Sequence, residues 1–160
     1  MKKVLLIVAI VLCTFCLFAC TNSQKTLDEG FEFCKEDFVV IEELDTHGGF
    51  LGDGAYYLTL DCSKNQEKVT EMIKDWQPLP LTENLNMALY ERRHYGAYEE
   101  KSLPKIENGF YKFIDRHREV SNEGMKASDD SNIFNRYSYN YTIAIYDLDT
   151  QTMYYFEFDT

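Results

Sequence analysis

The sequence predicts an α+β domain, a mainly antiparallel sheet of about six strands with one amphipathic helix packed on one face. Three observations carry this. Aromatic residues make up 15% of the chain, with 12 Tyr and 11 Phe, and such side chains favour pleated, half-buried surfaces. Several segments alternate apolar and polar residues with a period of two. One stretch, Ser63–Trp76, repeats instead with the period of a helix.

Phe38–Asp45 reads as a strand because Val39, Val40 and Ile41 are β-branched, although its alternation is imperfect. Ala55–Cys62 is cleaner: Tyr56, Leu58, Leu60 and Cys62 share one face and Tyr57, Thr59 and Asp61 the other. Between them, His47–Gly54 holds four glycines in eight residues, the composition of a long hairpin loop. Ser63 and Gln66 match a capping box at a helix start. Val69, Met72, Ile73 and Trp76 then form one apolar stripe, and Pro78 and Pro80 stop the helix. Leu81–Glu91 is read as a turn followed by a strand, with a helical turn from Thr82 as the alternative. Gly109–His117 reads as a strand, flanked by polar loops at 92–108 and 118–132. Tyr137, Tyr139, Tyr141, Ile143 and Ile145 alternate with Ser138, Asn140, Thr142 and Ala144. After the turn Asp147–Thr152, Tyr154, Phe156 and Phe158 alternate in turn with Tyr155, Glu157 and Asp159. This hairpin is expected to have one buried and one wetter face, with Glu157 exposed.

Met1–Cys20 sets where the chain is expected to live. Lys2 and Lys3 precede an apolar run, Val4–Phe18, closed by Ala19 and Cys20. Charge, apolar core and a small residue before a cleavage point, in that order, make a secretory leader. The apolar run is about 15 residues, short of the ~20 that a spanning helix needs. The segment resembles a bacterial lipoprotein signal, in which a small residue precedes the cysteine that is lipidated; Leu17, Ala19 and Cys20 hold those places. The resemblance covers this segment alone. It implies cleavage after residue 19, acylation of Cys20 and an anchor on the extracytoplasmic face of a bacterial cell membrane. Cys13 and Cys16 would leave with the leader, residues 20–30 read as a polar tether, and 31–160 as a single domain.

The net charge of −11 becomes about −13 once Lys2 and Lys3 are removed. Such acidity opposes binding to phosphate backbones and anionic lipid, so no nucleic-acid partner is expected and membrane contact falls to the lipid on Cys20. Cys34 and Cys62 stand fourteen residues either side of Gly48, which would bring them near each other across a hairpin. An exported domain permits a disulfide between them; the alternative is that Cys62 is a buried free thiol.

Chemical motifs are sparse. His47 and Asp53 are the best local pair, and Phe50 and Leu51 sit at the tip of the same loop, which makes this a candidate binding loop. No H-x-x-H, H-E-x-x-H or C-x-x-C pair follows Cys20, so neither a metal nor another cofactor is expected. Asp147–Gln151 and Asp129–Asn132 offer clustered oxygens, but lack the glycine and distal glutamate of an EF-hand, and Asp and Asn favour turns anyway. Asp115-Arg116-His117 is the one run that suggests a general base, without a nucleophile motif to serve it. The expectation is therefore a lipid-anchored binding module for a protein or small-molecule partner, without catalysis. An envelope hydrolase, or an inhibitor or immunity-type lipoprotein, is the alternative.

Overall fold

The alternating aromatic and β-branched segments take up strand geometry, and the sheet they build orders the rest of the chain. The computed structural model describes residues 31, 33, 35–48, 52–91, 103–117 and 128–160. Lys35–Thr160 is one compact unit and holds the whole sheet. A 3₁₀ turn, Lys35–Asp37, leads into β1 (Val39–Asp45) and β2 (Gly54–Asp61). Then come α1 (Gln66–Ile73), β3 (Gln77–Pro78) and α2 (Glu83–Asn86), which runs on into a π-helical turn, Met87–Glu91. The chain continues with β4 (Gly109–Asp115), β5 (Tyr141–Asp147) and β6 (Thr152–Asp159).

All six strands join one sheet in the order β1-β2-β6-β5-β4-β3, with every neighbouring pair antiparallel. The expected α+β class and antiparallel sheet are therefore what the chain forms. The last strand in sequence lies inside the sheet. β6 pairs with β2 from Gly54↔Asp159 to Asp61↔Thr152, and with β5 from Tyr141↔Phe158 to Asp147↔Thr152.

That register sorts the side chains. On one face Ala55, Tyr57, Tyr141, Ile143, Phe156 and Phe158 are buried, and Leu85, Ala88 and Ile133 close over them. The rings pack at an angle: Tyr57 and Phe156 lie 4.7 Å apart between centroids, and Tyr141 meets Phe156 edge-on at 5.9 Å. The opposite face buries Leu58, Leu60, Ala144, Tyr146, Met153 and Tyr155. The expected wetter face is thus absent from β5, where Thr142 and Ala144 are fully buried. These two residues are small because Tyr146 and Tyr155 share their face, not because water does.

Four elements differ from expectation. The helix is shorter than Ser63–Trp76. Asp61 Oδ1 takes the Ser63 N–H at 2.9 Å and holds Ser63 in a turn, while Gln66 Nε2 donates to the Cys62 carbonyl instead of completing a capping box. Asn65 becomes the N-cap, without a side-chain cap bond. Val69 keeps its buried place, and Tyr146 Oη donates to Gln66 Oε1 at 3.1 Å, tying α1 to the second sheet face. Leu85–Tyr90 is helical rather than extended, because Thr82 Oγ1 accepts the Leu85 N–H and starts the turn. β5 begins at Tyr141, leaving Tyr137 fully exposed. Thr160 holds the preceding residues through Tyr139 N–H and Asn140 Oδ1. β4 ends at Asp115, short of His117.

Gly109 marks the tightest approach in the sheet. A Cβ there would stand 1.9 Å from the Tyr146 carbonyl oxygen. Gly109→Ala should therefore destabilise the domain by about 2 kcal/mol or more, because backbone, not a side chain, must move. Urea unfolding followed by tryptophan fluorescence measures it; an unchanged midpoint would show that the strands tolerate the methyl group.

Candidate interaction surface

The charged residues that looked chemical in sequence gather at one end of the sheet. Arg116 follows β4 directly, and its guanidinium reaches Glu157 Oε1 and Asp159 Oδ1 of β6, each at 2.9 Å. It also donates to the carbonyls of Phe158 and Tyr141. His47 stands on the other side of Asp159. Its Nε2 lies 3.1 Å from Asp159 Oδ2 and its Nδ1 lies 2.7 Å from Asp45 Oδ1. Gly54 permits this, because a Cβ there would fall 2.5 Å from the His47 Cα.

This arrangement is suited to holding strands together. General-base catalysis requires a ring nitrogen within reach of a hydroxyl or thiol. Both nitrogens of His47 instead face carboxylates. The Asp115-Arg116-His117 run does not converge on one point. Asp115, the last residue of β4, turns instead into the protein, where it is fully buried against Arg136 Nη1 at 2.5 Å. Breaking such a buried pair by removing one partner costs about 3–5 kcal/mol, so these residues serve the core. The His117 N–H bonds the Asn140 carbonyl.

The candidate binding loop is partly described. His47 pairs with Asp45 and Asp159 rather than with Asp53, which is exposed. Phe50 and Leu51 lie outside the described residues, as do Cys20 and Cys34. The carboxylates of the two oxygen-rich turns are engaged within the protein: Asp147 accepts from Asp149 N–H and Thr150 Oγ1, Asp149 from Asn108 Nδ2, Asp129 from Ser131 N–H and Asp130 from Thr82 Oγ1. Among the described residues no group of three or more His, Cys, Asp or Glu side chains is arranged to hold a metal.

Two features remain on the surface. One is a cleft of about 260 Å³ floored by Ile145 and walled by Leu79, Leu81, Tyr90 and Ile106, with Lys105 and Glu107 at its rim. The other is β1. All seven of its residues are exposed, whereas β2 beside it is largely buried. Val39, Val40, Ile41 and Leu44 are 40–58% exposed, an unusual density of apolar side chains in water for one strand. No family model, curated protein or solved structure matches this chain. The surface therefore has to be read from its own chemistry.

β1 is held in place by its acids. Glu43 accepts from Lys35 Nζ at 2.7 Å and from Tyr56 Oη at 2.6 Å. The Lys35 hydrogen bond, then that of Tyr56, holds the Glu43 carboxyl below its ordinary value. The stabilisation it brings is complete above about pH 5 and is lost as the pH falls through the lowered value. Glu43→Gln should accordingly flatten the loss of stability between about pH 5 and 3, and urea midpoints across that range test it. An unaltered pH slope would remove Glu43 from the account.

Cys62 is a free thiol, fully buried, with Sγ 3.7 Å from the Leu60 carbonyl. Burial pushes its pKa up to about 12. At pH 8 the native protein should therefore alkylate at Cys62 at least about a hundredfold more slowly than the urea-unfolded protein, because the thiolate is the reactive form. Intact-mass analysis follows it. Equal rates would contradict the burial, and a thiol that stays unreactive in urea until reduced would indicate the disulfide with Cys34.

Proposed function

We propose that this chain is a lipid-anchored, extracytoplasmic binding module that acts by holding a protein partner, without catalysis. The anchor rests on the leader pattern ending at Cys20. One acyl chain holds a protein only marginally, whereas two or more hold it stably, so diacylglyceryl modification of Cys20 would keep an acidic domain at a membrane that otherwise repels it. The observation that carries the binding role is β1, a strand exposed along its whole length that offers four aliphatic side chains to solvent.

Two experiments test the two halves. Cys20→Ala should abolish incorporation of labelled palmitate and release the protein from the membrane fraction; a variant that still labels would place the lipid elsewhere. A photoreactive residue at Ile41 should give one discrete protein adduct in intact cells, and the same group at exposed Leu148 should not. Equal labelling from both positions, or substrate turnover lost in His47→Ala, would overturn the non-catalytic binding role.

A further inference from the structure

We propose that β1 takes up an extended, basic segment of the partner protein as an added strand of the sheet. The inference rests on the binding-module reading and names the chemistry of its partner. In the sheet order β1 is one of two edges, and its only strand neighbour among the described residues is β2. The other edge, β3, is two residues long and contains Pro78, which has no N–H to give a ladder. β1 is therefore the edge with length and donors enough to pair. Proteins usually blunt such an edge or cover it, and strand addition is the recurring way in which one is used.

Charge selects the occupant. β1 carries Glu42, Glu43 and Asp45, and the 3₁₀ turn before it adds Glu36 and Asp37. Lys35 pairs with Glu43 and Lys68 with Asp37, which offsets part of this charge, but among these described residues five acids stand against two lysines and the surface stays acidic. A second copy of the chain is a poor occupant. Antiparallel pairing over all seven residues would set Glu42 opposite Glu42 and Val39 opposite Asp45, and like charges directly opposite are destabilising. Each copy also bears a net charge of −11. A strand with Lys or Arg beside these acids gains instead of losing.

The register describes the segment further. Val40 pairs with Leu60 and Glu42 with Thr59, so Ile41 is an extra residue that bulges out of the ladder. From Glu42 to Asp45 the pairing is regular. There Glu42 and Leu44 point to one face and Glu43 and Asp45 to the other, given their partners Thr59 and Tyr57 against Leu58 and Tyr56. The segment that fits has basic residues beside Glu42, Glu43 and Asp45, and an apolar residue beside Leu44.

Isothermal titration of the full-length protein in neutral detergent tests this with three synthetic octapeptides. One repeats Lys-Val-Lys-Lys, which sets lysines beside Glu42, Glu43 and Asp45 and valine beside Leu44; one has Glu in place of each Lys, and one keeps the lysines of the first but has Pro in place of both valines. The Lys–Val peptide should bind and slow amide exchange within β1. The Glu–Val peptide should not bind, and the Pro peptide should bind at least about tenfold more weakly, since proline removes ladder donors. Glu42→Lys, at an exposed position, should weaken the Lys–Val peptide about tenfold in a variant that still unfolds cooperatively. Equal binding of the Pro and Lys–Val peptides would reduce the effect to charge attraction and overturn strand addition. Binding of the Glu–Val peptide, or dimerisation of the protein alone, would overturn the basic occupant. If no peptide binds while Ile41 still gives its discrete adduct in cells, this inference falls and the binding-module reading stands. Loss of the adduct as well would overturn both.

Discussion

The rest of the structure depends on β6 lying between β2 and β5. β2 carries β1, and β5 carries β4 and with it β3. Without β6 these would be separate ribbons, and an isolated two-stranded pair is marginal in water. The strand is fitted to that task on both sides. Phe156 and Phe158 enter one core while Met153 and Tyr155 are buried on the opposite face. Its last turn of sequence then delivers Glu157 and Asp159 to Arg116, and Asp159 to His47. One strand thus joins the sheet by packing, by its two ladders and by charge.

This explains the fate of the residues that looked catalytic. Arg116, His47, Asp115 and Arg136 are paired across elements that must not slide, and each pair fixes a strand end. Polar groups so deeply engaged are poorly placed to exchange protons with a substrate. What stays available is at the margin of the sheet, where β1 has β2 as its one strand neighbour among the described residues and all seven of its residues are exposed.

Local pattern was enough to find the sheet. The period of two in Ala55–Cys62 and in Tyr154–Asp159 marked β2 and β6, and the aromatic run marked most of β5. Pattern failed where a few hydrogen bonds decide. Nothing in composition tells whether Ser63 will cap a helix or surrender its N–H to Asp61, or whether Thr82 will start a helical turn before Leu85. The sheet-end cluster was half legible. His47 and Arg116 stood out as chemistry-bearing residues, but the partner of His47 at Asp159 lies 112 residues away, and only strand order brings it near. The same holds for β1: its residues announce a strand, whereas its place at the edge follows from where β6 inserts.

The extra residue at Ile41 has a consequence for how this protein ages in concentrated solution. Fibrils grow when identical chains stack in continuous, uninterrupted ladders, each new strand meeting an edge like the one before. An exposed aliphatic strand would ordinarily be a hazard of that kind. Here the ladder is broken after Val40, and the part that stays regular, Glu42–Asp45, is the part that bears the carboxylates. The longest in-line stretch is thus both short and charged. Polymer growth is discouraged by one backbone irregularity, while the aliphatic side chains of Val39, Val40 and Ile41 remain outside it and available.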